Sequence, residues 1–453
     1  VDLVRSVHAR ISATGRLALS TAPPGRVAYD GPMTSRWYFG WNIVAAAAML
    51  TLLSSGMRLS FGPFFLPMSQ DLGFSRSLLS SIVAVGMLAY GLAMPLAGLL
   101  IARFGTRPVL VTGNGLVIAA VWWTVTTANT LAFLLSFGLL LSVGLAFTSP
   151  VALTPVISHW FTRRRGMALF FLSTGSMAGM AVMTPVLSFA IGHVGWRPTL
   201  VGYAAIFTLF TLPAALLVIR DGAPEHTDLG ATEFADQRAR LGAQAQTLRL
   251  RDAMRTAPFW KIFFGLFCCG FSMNLLGTHG MPMLMDHGFD AFTSSMGIGL
   301  IGFVAIGGTL MLGRFADRLP RRHILATIYF VRGIGFLALV MVGTHWELYL
   351  TSTIGGLVWA GSIALSSAIL ADVYGVRLVG VLYGMAYVGH QIGGMISAWL
   401  GGWGYERFGT HWVAFGAAGL LLIAAGLVAL QLPRKGFTLM AGATGSLAVS
   451  PRG

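Results

Sequence analysis

Two arginines stand where a bilayer would make charge costly. Arg58 and Arg332 each fall inside an apolar stretch long enough to cross a membrane, where a central charge costs roughly 2.5–3.5 kcal/mol on insertion-based scales. No Asp or Glu accompanies them at that depth, since Asp286, Glu347, Asp372 and Glu406 fall at the ends of apolar stretches or between them. A cationic cargo asks for a buried carboxylate to replace its lost hydration. Positive charge is offered instead, which suits an anion. Arg58 follows Ser54-Ser55-Gly56, small residues that let helices approach, and its planar fork can give a carboxylate two charge-assisted hydrogen bonds. An arginine snorkelling towards the outer leaflet would look the same in sequence. Arg332, in the ninth apolar stretch, reads better as structural.

Other polar residues fall near them. His279 matches Arg58 in expected depth, with Asn274 on the same stretch. Tyr383, Tyr387, His390 or Gln391, and Gly394 recur at spacings of three and four, one face of a helix. Imidazole changes charge near neutral pH, so His279 and His390 are candidate proton carriers; hydrogen-bonded helix packing is the competing role for each. Trp359 is a weaker candidate for a pocket wall. The substrate-binding set is therefore Arg58, Asn274, His279, Trp359, Tyr387, His390 and Gln391. No metal-ligand cluster, nucleophile motif or Walker phosphate loop is present. Neither a cofactor nor an enzymatic activity is expected, and transport would draw on gradients of solute or protons.

The elements that must position these residues are membrane helices. Apolar residues make up 55% of the chain and charged ones 10%, against about 25% charged in soluble domains. Stretches of roughly 20 apolar residues, the length that crosses a bilayer, recur at 38–65, 77–101, 108–128, 130–157, 166–191 and 197–219. A second set follows at 258–285, 292–313, 323–343, 346–371, 379–404 and 410–432. The expected organisation is a cytoplasmic tail over 1–36, a six-helix bundle over 37–219, a cytoplasmic linker over 220–257, a second bundle over 258–433 and a cytoplasmic tail over 434–453. Cys268 and Cys269 lie side by side in an apolar run and read as packing residues.

The net charge of +15 does not point to nucleic acid, because no basic face interleaved with aromatics occurs. It follows topology. With both termini in the cytoplasm, all but five of the 30 Lys and Arg residues lie on that side, the exceptions being Arg58, Arg76, Arg197, Arg332 and Arg407. This is the positive-inside asymmetry.

The two sets of helices also repeat each other. Pro67, Met68, Asp71, Gly73 and Phe74 reappear as Pro282, Met283, Asp286, Gly288 and Phe289, and Gly98, Arg103 and Arg107 as Gly313, Arg318 and Arg322. Later, Gly166, Gly175, Gly179 and Gly195 return as Gly380, Gly389, Gly393 and Gly409. Markers in one order at nearly one spacing indicate a duplicated six-helix unit.

Gly98 to Arg107 (Gly-Leu-Leu-Ile-Ala-Arg-Phe-Gly-Thr-Arg) and Gly313 to Arg322 (Gly-Arg-Phe-Ala-Asp-Arg-Leu-Pro-Arg-Arg) resemble the paired loop signature of the major facilitator superfamily. The resemblance implies an all-α membrane fold of twelve helices in two bundles related by a pseudo-two-fold axis, with a substrate site near mid-membrane between them. It also implies a conformational latch formed by Arg103, Arg107, Asp317, Arg318 and Arg322, although the first copy has Ala102 where the signature has Asp. Ser60 to Pro67, Leu72 to Arg76, His159-Trp160-Phe161, Arg163 to Ala168 and Gly195-Trp196-Arg197 resemble monocarboxylate transporter-like proteins, with the oxalate:formate antiporters as near relatives. That implies small carboxylates carried with a proton or in exchange. Such relatives place a cation near Arg58 and another on the eighth helix. Residues 292–313 hold none, which favours monocarboxylates over dicarboxylates.

The expectation is a monomeric secondary transporter of small organic anions in a bacterial inner membrane, with the anion, possible protons and the lipid bilayer as its partners. An efflux transporter for hydrophobic compounds is the alternative. A non-transporting solute sensor is a more remote one.

Overall fold

The computed structural model describes residues 38–161, 164–222, 250–316, 319–374, 376–433, 438–439 and 449–450. The N-terminal tail, most of the 220–257 linker and most of the C-terminal tail lie outside them, as do Asp317 and Arg318 of the expected latch. Twelve spans follow in chain order. The first is Gly40–Leu59 continued by Gly62–Leu72, then Arg76–Phe104, Thr106–Thr126, Thr130–Trp160, Arg165–Val194 and Trp196–Val218. A short helix, Leu250–Met254, precedes the seventh span, Ala257–Asp286. The rest are Ala291–Ala316, Arg321–Leu339, His345–Tyr374, Val376–Phe408 and Trp412–Leu430. Eleven of the described spans are long and apolar enough to cross a membrane on those grounds alone. The eleventh span has 33 residues, and Tyr383, Tyr387, His390 and Gln391 lower its apolarity.

Each half has its own apolar core. Phe64, Phe65, Phe133, Leu200 and Phe207 centre the first, and Leu266, Ile328, Leu370, Phe415 and Leu422 the second. Leu59, Met177 and Met180 reach across into the second core, and Ala398 into the first. Large apolar side chains such as Leu92, Trp122, Leu209, Phe303 and Leu420 point outward, as hydrocarbon permits and water does not.

The repeated glycines set how closely the helices approach. A β-carbon on Gly179 would lie 2.7 Å from Gly56 Cα, and one on Gly175 3.1 Å from the Ala48 backbone, so the fifth span lies directly on the first. In the second half, a β-carbon on Gly389 would come 3.0 Å from the Phe263 carbonyl, and one on Gly393 2.9 Å from the Phe271 nitrogen. The eleventh span thus lies on the seventh in the same way. These are the small-residue faces by which membrane helices associate.

Several spans are broken. The first stops at Ser60–Phe61 before restarting with Pro63 in its first turn. The fourth is interrupted at Thr148–Ser149, and the tenth between Leu357 and Gly361. The seventh widens into π-type turns over Leu276–Gly280. Arg332 answers the break in the tenth. Its guanidinium donates to the carbonyls of Val358 (3.0 Å) and Trp359, approaches Cys269 Sγ at 3.3 Å, and lies 4.9 Å from the Trp359 ring.

Replacing Gly179 with Leu forces the first and fifth spans apart. Overpacking of this kind costs about 1–3 kcal/mol, so a drop of several degrees in melting temperature in detergent is expected. Gly202→Ala, at a helix position with nothing within 4 Å of the added carbon, should keep or slightly raise the melting temperature, since alanine is the better helix former.

Candidate functional site

Arg58 sits in the last turn of the first span's leading helix, just before the break at Ser60. A cation is favoured there by the unpaired carbonyls at a helix C-terminus. Its Nη1 donates to Asn274 Oδ1 at 2.6 Å and lies 3.7 Å from Met87 Sδ. The guanidinium carbon lies 4.8 Å from the Tyr90 ring centre. Nε is buried without a partner, and no carboxylate pairs with Arg58 among the described residues. The side chain borders a small, half-open cavity of about 50 Å³ between the first, second and fourth spans. Met57, Phe61, Met87, Phe137 and Leu141 form its apolar walls, and Tyr90 and Ser142 add polar atoms.

Asn274 comes from the other half. Its amide nitrogen donates to the Gly270 carbonyl at 2.8 Å, which turns its oxygen towards Arg58, and Gly394 of the eleventh span lies against it. A few residues on, the widened turn brings Gly277 against Leu59; a β-carbon there would lie 2.8 Å from the Leu59 carbonyl oxygen. His279 follows, buried, with Nε2 2.8 Å from the Ala398 carbonyl and 3.4 Å from Ser80 Oγ. A carbonyl only accepts, so that short contact places a proton on Nε2. The ring also meets Phe65 edge-on. His279 therefore ties the second, seventh and eleventh spans together.

On the eleventh span the Tyr387 and His390 rings stack, with centroids 4.6 Å apart. His390 is 1% exposed and neither ring nitrogen has a partner. Gln391 packs on Gly91 of the second span, with Nε2 4.0 Å from Met94 Sδ and Oε1 unpartnered. Trp359 lies elsewhere. Its ring faces Arg332 and Phe336 inside the second core, not Arg58. Of the expected set, the structure joins Arg58 to Asn274 directly and gathers His279, Tyr387, His390 and Gln391 on the two spans behind Asn274.

A second polar group holds the halves together at the end where the first and second spans meet, called here the latched end. Arg76 makes two bonds to Asp286 of the seventh span, at 2.5 and 3.0 Å, and lies 4.1 Å from the Tyr405 ring centre. Glu406 accepts from the Ser77 amide at 3.2 Å and the Ser75 hydroxyl at 3.5 Å, so an anion of one half caps the helix N-terminus of the other. Sequence reasoning treated Asp286 and Glu406 as helix-end residues. The signal available was the Asp71–Asp286 repeat, but which cation reaches Asp286 is decided by packing across the interface.

At the opposite end, the described bonds stay within each half. Arg107 donates to the Ile219 carbonyl at 2.7 Å, the Thr106 amide to Asp221 at 2.9 Å, Arg321 to Asp372 at 2.7 Å and Arg322 to the Leu432 carbonyl at 3.0 Å. Arg103 lies over the Phe104 ring. Among the described residues, the bonds between the halves thus lie at mid-depth and at the latched end.

The Major Facilitator Superfamily profile matches residues 44–344 and 302–441. An MFS-type transporter of Bacillus subtilis, YcxA, is 28% identical over 387 residues, covering 82% of this chain and 89% of its own length. Human monocarboxylate transporter 11 is 26% identical, covering 89% and 84%, and the oxalate:formate antiporter of Oxalobacter formigenes is 21% identical, covering 90% and 94%. The crystal structure of a D-xylose–proton symporter superimposes with a TM-score of 0.66 at 14% identity, over 88% of this chain and 99% of that one, which speaks for the fold alone. The chain therefore belongs to the Major Facilitator Superfamily and is a multi-pass membrane transporter of twelve helices in two related bundles.

Proposed function

We propose that the protein is a secondary transporter of small organic anions, chiefly monocarboxylates, working by alternating access with a proton or in exchange. One observation carries this reading. Arg58 is a cation at a cavity wall whose partners, among the described residues, are an amide oxygen, a sulfur and a ring. A carboxylate arriving there would take the place of Asn274 Oδ1 and gain the unpartnered Nε. The names of the monocarboxylate and oxalate:formate relatives point the same way.

His390 is the better supported proton carrier. Its nitrogens have no partner, whereas His279 is engaged by Ala398. The charge asymmetry supports cytoplasmic termini in a bacterial inner membrane, so the latched end would face outward and the conformation would be inward-facing. The mostly apolar cavity walls also suit a hydrophobic cargo, which is the second reading. A monomer suffices for either.

Arg58→Ala tests the first. A hydrogen bond to a charged group contributes roughly 1.5–3 kcal/mol, so counterflow of lactate, pyruvate or formate in proteoliposomes should fall about 10–150-fold. Arg58→Lys, which keeps the charge and loses the fork, should fall between. Undiminished counterflow in a correctly folded Arg58→Ala protein, with competition by apolar compounds, would transfer the case to the hydrophobic cargo.

His390→Gln keeps the volume and removes the titration. It should abolish uptake driven by an imposed pH gradient while preserving anion counterflow at equal pH; retention of the pH-driven component would remove His390 from the pathway.

A further inference from the structure

The duplication makes the latched end readable position by position. Asp71 and Asp286 are equivalent, and by the Gly195–Gly409 match so are Arg197 and His411. In the first half, Asp71 Oδ2 is held by Arg197 Nη2 at 2.9 Å and by the Trp196 indole N–H at 3.0 Å. In the second, Asp286 Oδ2 is held by His411 Nε2 at 2.9 Å. Each half thereby ties the end of its first span to the start of its sixth through a carboxylate and a base. The base is a permanent cation in one half and an imidazole in the other. A second departure from symmetry lies on the partner side. Arg76 crosses the interface to Asp286, whereas its equivalent in the second half is Ala291, and Asp71 receives no cross-interface bond among the described residues.

We propose that His411 is a pH-sensing element of this closure, its protonation weakening the Arg76–Asp286 bond and opening the latched end. Neutral His411 donates Nε2–H to Asp286 and leaves the carboxylate's charge to Arg76. Protonated His411 places a second cation on the oxygen that Arg76 already holds at 2.5 Å. The two cations repel, and when the halves separate the carboxylate keeps a charged partner inside its own half. Repulsion between the two cations exists only while Arg76 is in place, so protonation favours the open state.

The other groups around His411 do not set the sign. Asp286 and, deeper, His279 lie on the seventh span, and the His287 ring is 6.2 Å away just beyond it. Tyr405, with its ring 4.4 Å away, and Glu406 lie on the eleventh. All move with His411 in the second half. Arg76 is the charged group that departs, among the described residues.

The experiment uses the full chain in lipid nanodiscs, spin-labelled at Ala128→Cys and Met341→Cys, exposed sites at the latched end of each half. Pulsed EPR distances are read at pH 8.0 and 5.5. The long-distance population should rise about 10-fold on acidification, within the usual 5–150-fold range of coupling between sites. His411→Gln, which retains an N–H donor, should hold it at the alkaline level at both pH values. His411→Arg, which reproduces the first half's arrangement, should hold it at the acid level. An unlabelled-site control for the bond itself is Asp286→Asn, expected to be open at both. Identical distributions of the wild type at the two pH values, or a wild-type pH response in either His411 variant, would overturn the proposal.

Discussion

Hydrocarbon leaves no place for an unpaired backbone group, and the arrangement of this transporter depends on how each helix break is answered. The fourth span breaks at Thr148–Ser149, and Ser54 of the first donates to the Thr148 carbonyl at 3.1 Å. The tenth breaks after Leu357, and Arg332 takes up the Val358 and Trp359 carbonyls. The first breaks at Ser60, whose amide still reaches the Gly56 carbonyl at 2.8 Å and whose hydroxyl accepts from Thr184 of the fifth at 2.7 Å. Arg58, two residues earlier, takes up no backbone carbonyl in its described bonds. Two arginines that look alike in a hydropathy profile thus have different duties. One is spent on backbone within its own half, and the other bonds Asn274 across the interface and retains an unpartnered Nε beside a cavity of the first half.

That interface is held by few polar bonds, and they differ in kind. On the proposed function, Arg58–Asn274 lies where the anion would bind, so a ligand that engaged the guanidinium would also release a tie between the halves. Arg76–Asp286 and Glu406 with Ser77 lie beyond the cargo's reach. The glycine faces of Gly56 with Gly179 and of Gly393 with Phe267 and Phe271 lie within halves and keep each bundle rigid. Between halves, a β-carbon on Gly302 would lie 2.6 Å from the Ala181 nitrogen, and one on Gly299 3.0 Å from the Ala181 carbonyl. These smooth surfaces let the fifth and eighth spans change their contact without a side chain in the way. On the proposed alternating-access reading, rocking would separate a few charge-assisted bonds and withdraw Leu59, Met177 and Met180 from the second core and Ala398 from the first.

The helices, the duplication and the depth of Arg58 were legible in the sequence because each depends on local pattern: apolar length, repeated glycines, and charge where none is tolerated. Asn274 was legible only as a polar residue at a fitting depth, and its bond to Arg58 is a property of how the first and seventh spans cross. Trp359 shows the limit in the other direction. An aromatic residue in the tenth span reads equally as pocket wall or core, and only the break beside it, with Arg332 filling it, decides. Asp286 and Glu406 escaped notice as functional residues because helix-end carboxylates are ordinary. Their partners lie more than 200 residues away, at Arg76 and Ser77.

The imbalance between the two ends bears on affinity. Ala102 replaces the carboxylate of the first loop signature, and Arg107 and Arg322 are bound to carbonyls of their own halves. The latched end has a doubly bonded ion pair and a cross-capped helix. On the proposed alternating-access reading, these bonds favour the conformer closed at that end, and a solute arriving from that side would bind the other one. Its apparent dissociation constant is raised by the inverse of that conformer's population. On that reading, a pocket with one intrinsic affinity would present two apparent affinities to the two sides of the membrane, and the difference would be set by Arg76, Asp286 and Glu406, away from Arg58.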